Sequence, residues 1–355
     1  MIITILVFIV ILSVLVLVHE FGHFITAKKR GVLVEEFALG FPPRLFGFKF
    51  GETTYSINLF PIGGFVKMYG EEYHEGGNKA LHDRAFVNKK PWEKSLIIVG
   101  GIIGNFLLGW VLMSFLFTQG VPTPSNKVLI ENVQKNSPAA QAGLKPNDAL
   151  IQVAKDNHAY VIKNVGDLSK VATQYGDQEI SLTVQTDGKT RTVNVVPRKN
   201  PPPGEGALGV TITSYTTKKY PWYQAPFYGL KEAANITTAI VVELSKTLFN
   251  FATLKKTNVD VTGPIGIAQF TGQAIKFGNN AVLELVALLS LNLAVINILP
   301  FPALDGGRLV FVIYEWVTKK QINKKVEQYT NLAGIALLLS LMALITIHDI
   351  LKLLK

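Results

Sequence analysis

Long apolar stretches divide this chain into segments that can cross a membrane and segments that cannot. Residues 2–18 carry no charge, and comparable apolar stretches cover about 95–118, 281–299 and 331–351. A helix of about 20 apolar residues is long enough to cross the hydrocarbon core of a bilayer. The pattern therefore predicts four transmembrane helices.

A further stretch, residues 225–254, also has a helical pattern of hydrophobic positions. It carries charged side chains of both signs, namely Lys231, Glu232, Glu243 and Lys246. A charged face opposite an apolar face is typical of a helix that lies in the membrane surface. We therefore predict a linker and an amphipathic surface helix within residues 204–278, and the last two transmembrane helices within residues 279–355.

The segment between the first two predicted spans alternates polar and apolar positions. Residues 55–59 have the two-residue period of a strand, residues 61–64 interrupt it, and residues 65–68 resume it. This pattern predicts a small β-hairpin region within residues 1–120, apolar enough to touch the membrane. Lipid cannot satisfy the backbone of a free strand edge, so this sheet must pack against protein or line a cavity.

Residues 121–203 are polar enough to form a soluble domain, and most of their apolar runs have the period of strands. Two runs, 180–184 and 192–196, flank Asp187-Gly188, a dipeptide typical of tight hairpin turns. The fold class predicted for the whole chain is therefore an α-helical membrane protein with four transmembrane helices, a membrane-associated β-hairpin region and an inserted α+β domain.

Composition agrees with a membrane protein that has some soluble mass. The 355 residues have a mean hydropathy of +0.29 and are 48% hydrophobic, too apolar for an ordinary soluble enzyme. The net charge of +10 comes without a nucleic-acid-binding motif, so we attribute it to cytoplasmic loops and anionic membrane lipid. Lys28-Lys29-Arg30 places the end of the first span in the cytoplasm, and the inserted domain then lies outside. The chain has no cysteine, which excludes disulfides and cysteine-based zinc sites.

The first span ends in the pattern His19-Glu20-x-x-His23. On a helix the two imidazoles lie one turn apart on the same face, where they can hold one zinc ion. Glu20 then lies close enough to take a proton from a water molecule that the ion activates. The pattern also occurs by chance, and the alternative is a helix end whose polar side chains reach the membrane interface.

A catalytic zinc ion needs a third protein ligand and an open position. The sequence offers four candidates: Asp305, His348, Glu36 and His74. With four spans, the third runs towards the cytoplasm, and Asp305 follows its helix-breaking prolines on the side where the two histidines lie. His348 falls near the outer end of the last span and is a poor candidate, whereas Glu36 and His74 stay as alternatives.

Together these motifs resemble the site-2 protease family, and in particular its bacterial regulator of sigma E protease group. The resemblance joins HExxH in the first span to Asn297-x-x-Pro-x-Pro-x-Leu-Asp305-Gly after the third. Between them, residues 137–144 (SPAAQAGL), followed by an acidic turn and a strand, resemble a bacterial, circularly permuted PDZ domain. Residues 59–68 and 262–267 also resemble the family's membrane-associated hairpin loop and the segment before its third span.

The resemblance implies an intramembrane zinc metalloprotease. Zn²⁺ would be held by His19, His23 and Asp305, with Glu20 as the base. The implied substrates are single-pass transmembrane proteins, of the anti-sigma-factor or remnant signal-peptide type, whose ectodomains have already been removed. The implied location is the bacterial cytoplasmic (inner) membrane, with the active site near its cytoplasmic side.

For the substrate, the resemblance implies that Asn105 and Asn297 steady the segment to be cut. A helical segment hides its carbonyl groups, so it must unwind, and we predict that the strand region 53–67 offers an edge that receives it. The side chains predicted to contact the substrate there are Tyr55, Ile57 and Leu59.

The sequence departs from the family pattern at three points. It has room for one PDZ domain where many members have two, Ile102 stands where many have proline, and Asn147 stands where PDZ domains usually have glycine. Two other functions stay open: a catalytically inactive, membrane-anchored PDZ adaptor, and a metal transporter that uses paired histidine and aspartate side chains.

Overall fold

The computed structural model describes residues 2–71, 79–156, 158–186, 188–202, 204–253, 263–320 and 322–353. The chain forms two compact units. Met1–Gln119 and Pro221–Lys355 make up the first, which we call the helical unit, and Gly120–Tyr220 make up the second, the β unit.

In chain order the elements are α1 (Ile2–Lys29), β1 (Val34–Phe50), β2 (Thr53–Met68), α2 (Pro91–Gln119), β3 (Val121–Val133), α3 (Pro138–Gln141), β4 (Ala149–Lys155), β5 (His158–Val161), α4 (Val165–Gln174), β6 (Ile180–Thr186), β7 (Lys189–Val195), β8 (Val210–Lys218), α5 (Ala225–Ala252), α6 (Pro264–Phe277), α7 (Asn279–Ile298), α8 (Asp305–Thr318) and α9 (Lys324–Leu353). Two short 3₁₀ helices, Lys79–Arg84 and Phe86–Asn88, lie between β2 and α2.

Four helices of the described chain are long and apolar enough to cross a membrane: α1, α2, α7 and α9. They are the four helices that the hydrophobic pattern predicts. Leu15, Ile11 and Val286 are buried together where α1 meets α7. Most of the remaining large side chains of α1 and α9 are exposed, as lipid-facing side chains of a membrane helix are.

Helix α5 is not one of these four spans. It packs against α2 and α7. The Trp110 indole N–H donates to the Pro226 carbonyl at 2.8 Å, and Gly229 lies so close to Ser114 that an added Cβ would stand 2.3 Å from its hydroxyl. Its placement in the membrane surface stays a prediction.

The predicted hairpin region is confirmed as a sheet of two strands, β1 and β2, which both bend. Glu36 of β1 pairs with Lys67 on one side and with Thr54 on the other, and Tyr55 of β2 likewise pairs with Phe37 and Phe48. The sheet therefore has four segments side by side, with the order 64–68, 34–39, 53–58 and 46–50. Among the described residues, only the outer two segments offer unpaired backbone.

The predicted substrate edge is corrected by this order. Tyr55 has a paired neighbour on both sides, and so does Ile57, which lies between Leu39 and Phe46. Leu59 follows this inner segment. Tyr55 and Ile57 lie in the middle of the sheet because β1 folds back and covers what a simple hairpin would leave free. The last part of the predicted region, 64–67, lies at an edge.

The turn between β1 and β2 is tied to neighbouring elements by charge. The Glu52 carboxylate accepts from Arg84 at 2.6 Å and from Lys28 at 2.8 Å. These two cations lower the pKa of Glu52 to about 2.

The far part of the sheet exposes large apolar side chains, among them Phe46 and Phe50. Exposed apolar surface on this scale marks a contact with membrane or protein.

The β unit is built on a mainly antiparallel sheet with the strand order β7-β6-β4-β3-β8, and β5 pairs with β4. Its apolar core includes Val128, Ile130, Leu182 and Val184. The predicted boundary at residue 203 is wrong, because Val210–Lys218 pairs with β3 and belongs to the sheet.

Two sequence features of the β unit behave as expected. Asn147 has a φ of 71°, a left-handed conformation that asparagine tolerates better than most residues, so it can replace the usual glycine. Strands β6 and β7 pair as the predicted hairpin, with Gly188 at a φ of 82°. Asp187 of the predicted turn lies outside the described residues, as do Pro203 of the predicted linker and Thr262 of the segment before the third span.

Candidate metal centre

Helix α1 brings the two histidines of the HExxH pattern together as predicted. His19 and His23 are one turn apart, and their ring centroids are 4.7 Å apart in an edge-to-face arrangement. The two Nε2 atoms lie 3.2 Å from each other. The Nε2 atoms of the two rings therefore point towards one position in space.

Asp305 reaches that position from the other end of the sequence. Helix α7 ends at Ile298, a non-helical stretch follows, and Asp305 is the first residue of α8. Two glycines allow the sharp turn. A Cβ added at Gly306 would stand 2.1 Å from the Leu299 carbonyl oxygen, and one added at Gly307 would stand 2.3 Å from the Phe301 carbonyl oxygen. The proline break that the sequence predicts is thus present, and the following Gly-Gly lets α8 start immediately behind it.

The three side chains form the group of possible metal ligands found in the described part of the chain. Asp305 Oδ2 lies 3.0 Å from His19 Nε2 and 3.2 Å from His23 Nε2. Ligand atoms at about 2.0–2.1 Å from a tetrahedral zinc ion stand about 3.3 Å from one another, so this spacing matches three corners of such a site. The buried Asp305 Oδ2 also has no hydrogen-bond partner, which is costly unless a cation is present. The donor set therefore fits Zn²⁺.

Neighbouring groups fix the orientation of the imidazoles. His23 Nδ1 lies 2.9 Å from the Ile97 carbonyl of α2, so Nδ1–H donates to that oxygen and Nε2 keeps its lone pair for a metal. The amides of Asn105 and Asn297 each approach His19 Nδ1 to 3.4 Å. Turning the Asn105 amide would give its oxygen, buried and otherwise without a partner, to His19 Nδ1–H.

Three glycines let α1 and α2 come close enough to build the centre. A Cβ added at Gly22 would stand 2.1 Å from the Gly100 carbonyl oxygen, and one added at Gly101 would stand 2.4 Å from His23 Nε2. The small residues of α2 thus permit close helix contact, and Gly101 leaves room for the ligand rings. The sequence signal for this role is the position of Gly22 inside the HExxH pattern.

Glu20 lies beside the three ligand residues in a polar cleft of about 290 Å³. The cleft is also lined by the edge segment 64–68 of the sheet, through Gly64, Phe65, Val66 and Met68. Gly64 is packed against the helix so closely that an added Cβ would stand 3.3 Å from Glu20 Cγ. An acidic side chain, the ligand cluster and an unpaired strand edge therefore share one cleft.

The other candidate ligands lie elsewhere. Glu36 is in the sheet, where it accepts hydrogen bonds from Arg44 and Ser56, each at 2.6 Å. His348 is exposed on α9 and is not part of the cluster. His74 lies outside the described residues.

Comparison with known proteins agrees with this geometry. The profile of Peptidase family M50 matches residues 7–341. A Clostridium perfringens protein named as a zinc metalloprotease is 34% identical over 339 residues, which cover 95% of this chain and 96% of the relative. A Staphylococcus aureus protein with the same kind of name is 30% identical, covering 98% of each chain. The regulator of sigma-W protease RasP of Bacillus subtilis is 29% identical, covering 99% of each.

The family match spans both units and the positions of the candidate ligands and Glu20. The chain is an integral membrane protein that belongs to Peptidase family M50, the site-2 protease family of zinc metallopeptidases.

Proposed function

We propose that this zinc metallopeptidase cleaves peptide bonds within or next to transmembrane segments of single-pass membrane proteins. The observation that carries the proposal is the position of the ligand cluster. His19 and His23 are on a helix that can span the membrane, and their cleft opens beside an unpaired strand edge. A peptide bond reaching this site must come from a segment at membrane depth or close to it.

We assign the protein ligands of zinc to His19, His23 and Asp305, and the role of general base to Glu20. Zinc held there supplies Lewis acidity and makes water a nucleophile at neutral pH. The Glu20 carboxylate takes the proton of the attacking water and later gives it to the leaving amine nitrogen. Asn105 and Asn297 hold the His19 ring, in addition to the steadying of substrate that the family resemblance implies.

The substrate needs to be extended when it meets these groups, because a helix keeps its carbonyl groups in internal hydrogen bonds. We propose that the edge segment 64–68 receives the unwound stretch by strand addition. This segment replaces Tyr55, Ile57 and Leu59 as the expected contact. Its start at Gly64 lies against Glu20, so a strand added along this edge passes directly by the base.

The test is cleavage of a reporter that has one transmembrane segment and a short ectodomain. The purified wild type should cut it, and Glu20→Gln should lower the rate by about 100-fold or more while zinc content stays the same. Glu284→Gln, an exposed carboxylate on α7, is the matched control and should cut at the wild-type rate. Equal rates for wild type and Glu20→Gln would contradict the assignment, and absence of zinc as well would favour the inactive adaptor.

We further propose that the β unit is a PDZ-like domain on the outer side of the bacterial inner membrane that screens substrates by size. Strand β8 is at the end of the sheet and α4 contacts it, an arrangement in which an extended peptide can add to a strand. The natural substrates would then be membrane proteins with trimmed ectodomains, of the anti-sigma-factor or remnant signal-peptide type.

Screening predicts a specific change when the β unit is deleted. Wild type should cut the short reporter and leave intact a reporter with a folded ectodomain, and removal of residues 120–220 should let both be cut. Cleavage of the short reporter by the deletion variant shows that its helical unit is still assembled. If that variant cuts only the short reporter, the screening proposal is wrong.

A further inference from the structure

The edge segment 64–68 ends in a tight turn that holds Glu71 in a fixed place. The Glu71 N–H donates to the Met68 carbonyl at 3.2 Å, and the Met68 N–H donates to the Glu71 carboxylate at 3.4 Å. The intervening Gly70 has a φ of 70°, and an added Cβ there would stand 2.6 Å from the Ala85 methyl group. The Glu71 carboxylate is thus attached to the end of the edge that lines the cleft.

The same carboxylate forms an ion pair with Arg308, which donates from Nη2 to Oε1. Arg308 lies on α8 one turn after Asp305, and its guanidinium also lies over the Phe86 ring, 5.9 Å from the centroid. Both charged side chains are half-buried and line the cleft. A pair with this degree of burial is screened less by solvent than a surface pair.

Helix α8 is also held at a second place. Its Val312 is buried with Ile97 and Ile98 of α2, and Glu315 accepts from Lys94 of α2 at 3.1 Å. These contacts fix α8 to α2. The Arg308–Glu71 pair instead joins α8 to the end of the edge segment, so the two ion pairs of this helix have different partners.

We propose that Arg308 and Glu71 are positioning residues that set the register of the substrate strand relative to Asp305 and the metal. The inference rests on the proposed function, because it requires segment 64–68 to be the edge that receives the substrate. A strand slips in steps of two residues if it is to keep its side chains on the same faces, and slippage would bring the wrong peptide bond to the centre. The pair prevents this by connecting the edge to the helix that carries a metal ligand.

Kinetics of the full-length protein on the single-span reporter test the pair first. Arg308→Gln should lower kcat by about 10-fold or more with little change in KM and in zinc content, because misalignment costs productive geometry. Arg308→Lys keeps the charge and should recover most of kcat. Glu315→Gln breaks the other ion pair of α8 and is the matched control, so its kcat should stay near that of the wild type.

Cross-linking then tests register directly. Because the chain has no cysteine, Lys67→Cys introduces a single thiol on the edge segment. In a Glu20→Gln background, this thiol should form a disulfide mainly with one position in a set of single-cysteine reporters. With Arg308→Gln added, the disulfides should spread to positions two residues away on either side.

The outcomes separate the two proposals. An unchanged single cross-linked position with Arg308→Gln, an unchanged kcat, or an equal loss of kcat in Glu315→Gln would each overturn the positioning role. Cleavage by the wild type with no cross-link to any reporter position would overturn it too, because the substrate would not lie on this edge. Failure of the wild type to cleave any reporter would instead contradict the proposed function.

Discussion

Each unit has an aspartate that is largely shielded from solvent, Asp148 and Asp305, and the two carboxylates are in opposite situations. Asp148 of the β unit is fully buried, and it accepts hydrogen bonds from the Thr186 hydroxyl, from the Lys145 N–H at 2.9 Å and from Arg191 at 2.7 Å. Asp305 of the helical unit is 12% exposed, and its Oδ2 lies between two imidazoles without a hydrogen-bond partner.

The surroundings of the two carboxylates also differ. The β unit has an apolar core, and the partners of Asp148 close a turn and a hairpin of its own sheet. Around Asp305, by contrast, the polar side chains His23 and Asn105 are buried in the helical unit, where water cannot compensate them. A satisfied buried carboxylate stabilises a fold, whereas one left unsatisfied among other ligand atoms indicates a metal site.

The largest effect expected from this difference is that of replacing each aspartate by asparagine. Asp305→Asn removes a charged ligand, so zinc should be lost and cleavage of the single-span reporter should fall by about 1,000-fold or more. Asp148→Asn should keep stoichiometric zinc and cleavage of the short reporter. Zinc analysis of both purified variants checks this, and a full zinc content in Asp305→Asn would show that the unsatisfied oxygen is not a ligand.

A smaller effect is expected from crowding the metal centre without touching a ligand. Gly101→Ala places a methyl carbon 2.4 Å from His23 Nε2 in the present geometry, so helices or rings must move. We expect zinc affinity or activity to fall by about 10–100-fold, the range seen when groups around metal ligands are changed. Gly166→Ala in the β unit, where an added Cβ meets nothing within 4 Å, is the control and should behave as the wild type. Competition with a zinc chelator measures the difference, and equal affinities would mean that α1 and α2 can separate freely.

The sequence predicts some of these features because they depend on local patterns. The four spans follow from apolar length, and the histidine pair follows from the helical spacing of His19 and His23. The third candidate ligand, Asp305, is favoured by counting membrane crossings together with a proline break, although the sequence alone leaves Glu36 and His74 as alternatives. These features depend on the local sequence or on the membrane topology, and they do not depend on the details of side-chain packing.

Other features could not be predicted because they depend on how distant segments pack. The edge that lines the cleft is 64–68, and the part around Tyr55 lies inside the sheet, because β1 folds back to pair on both sides of β2. The Arg308–Glu71 pair joins residues separated by 237 positions in sequence. Strand β8 pairs with β3 although prolines and glycines precede it, so the predicted linker begins too early.

The smallest expected effect is a pH dependence that should separate the β unit from the metal centre. Burial alone would raise the pKa of Asp148, but the Thr186 hydroxyl, the Lys145 N–H and the Arg191 guanidinium outweigh burial and hold that pKa below its ordinary value. A lowered pKa in the folded state means that the charged form favours folding. The contribution is complete above the unfolded pKa of about 3.9 and is lost as the pH falls from there through the folded pKa.

Hydrogen exchange of the β-unit core strands in the full-length protein can measure this contribution. At pH 6 we expect Asp148→Asn to lower the free energy of unfolding of the β unit by about 1–3 kcal/mol, the cost of disturbing a buried hydrogen-bonded charge. Below the unfolded pKa the difference between wild type and variant should shrink, because both side chains are then uncharged. Subtracting the variant removes the titration of the other carboxylates. A difference that stays constant down to pH 3 would mean that Asp148 contributes through its shape and hydrogen bonds rather than through its charge, and its contrast with Asp305 would then be one of geometry alone.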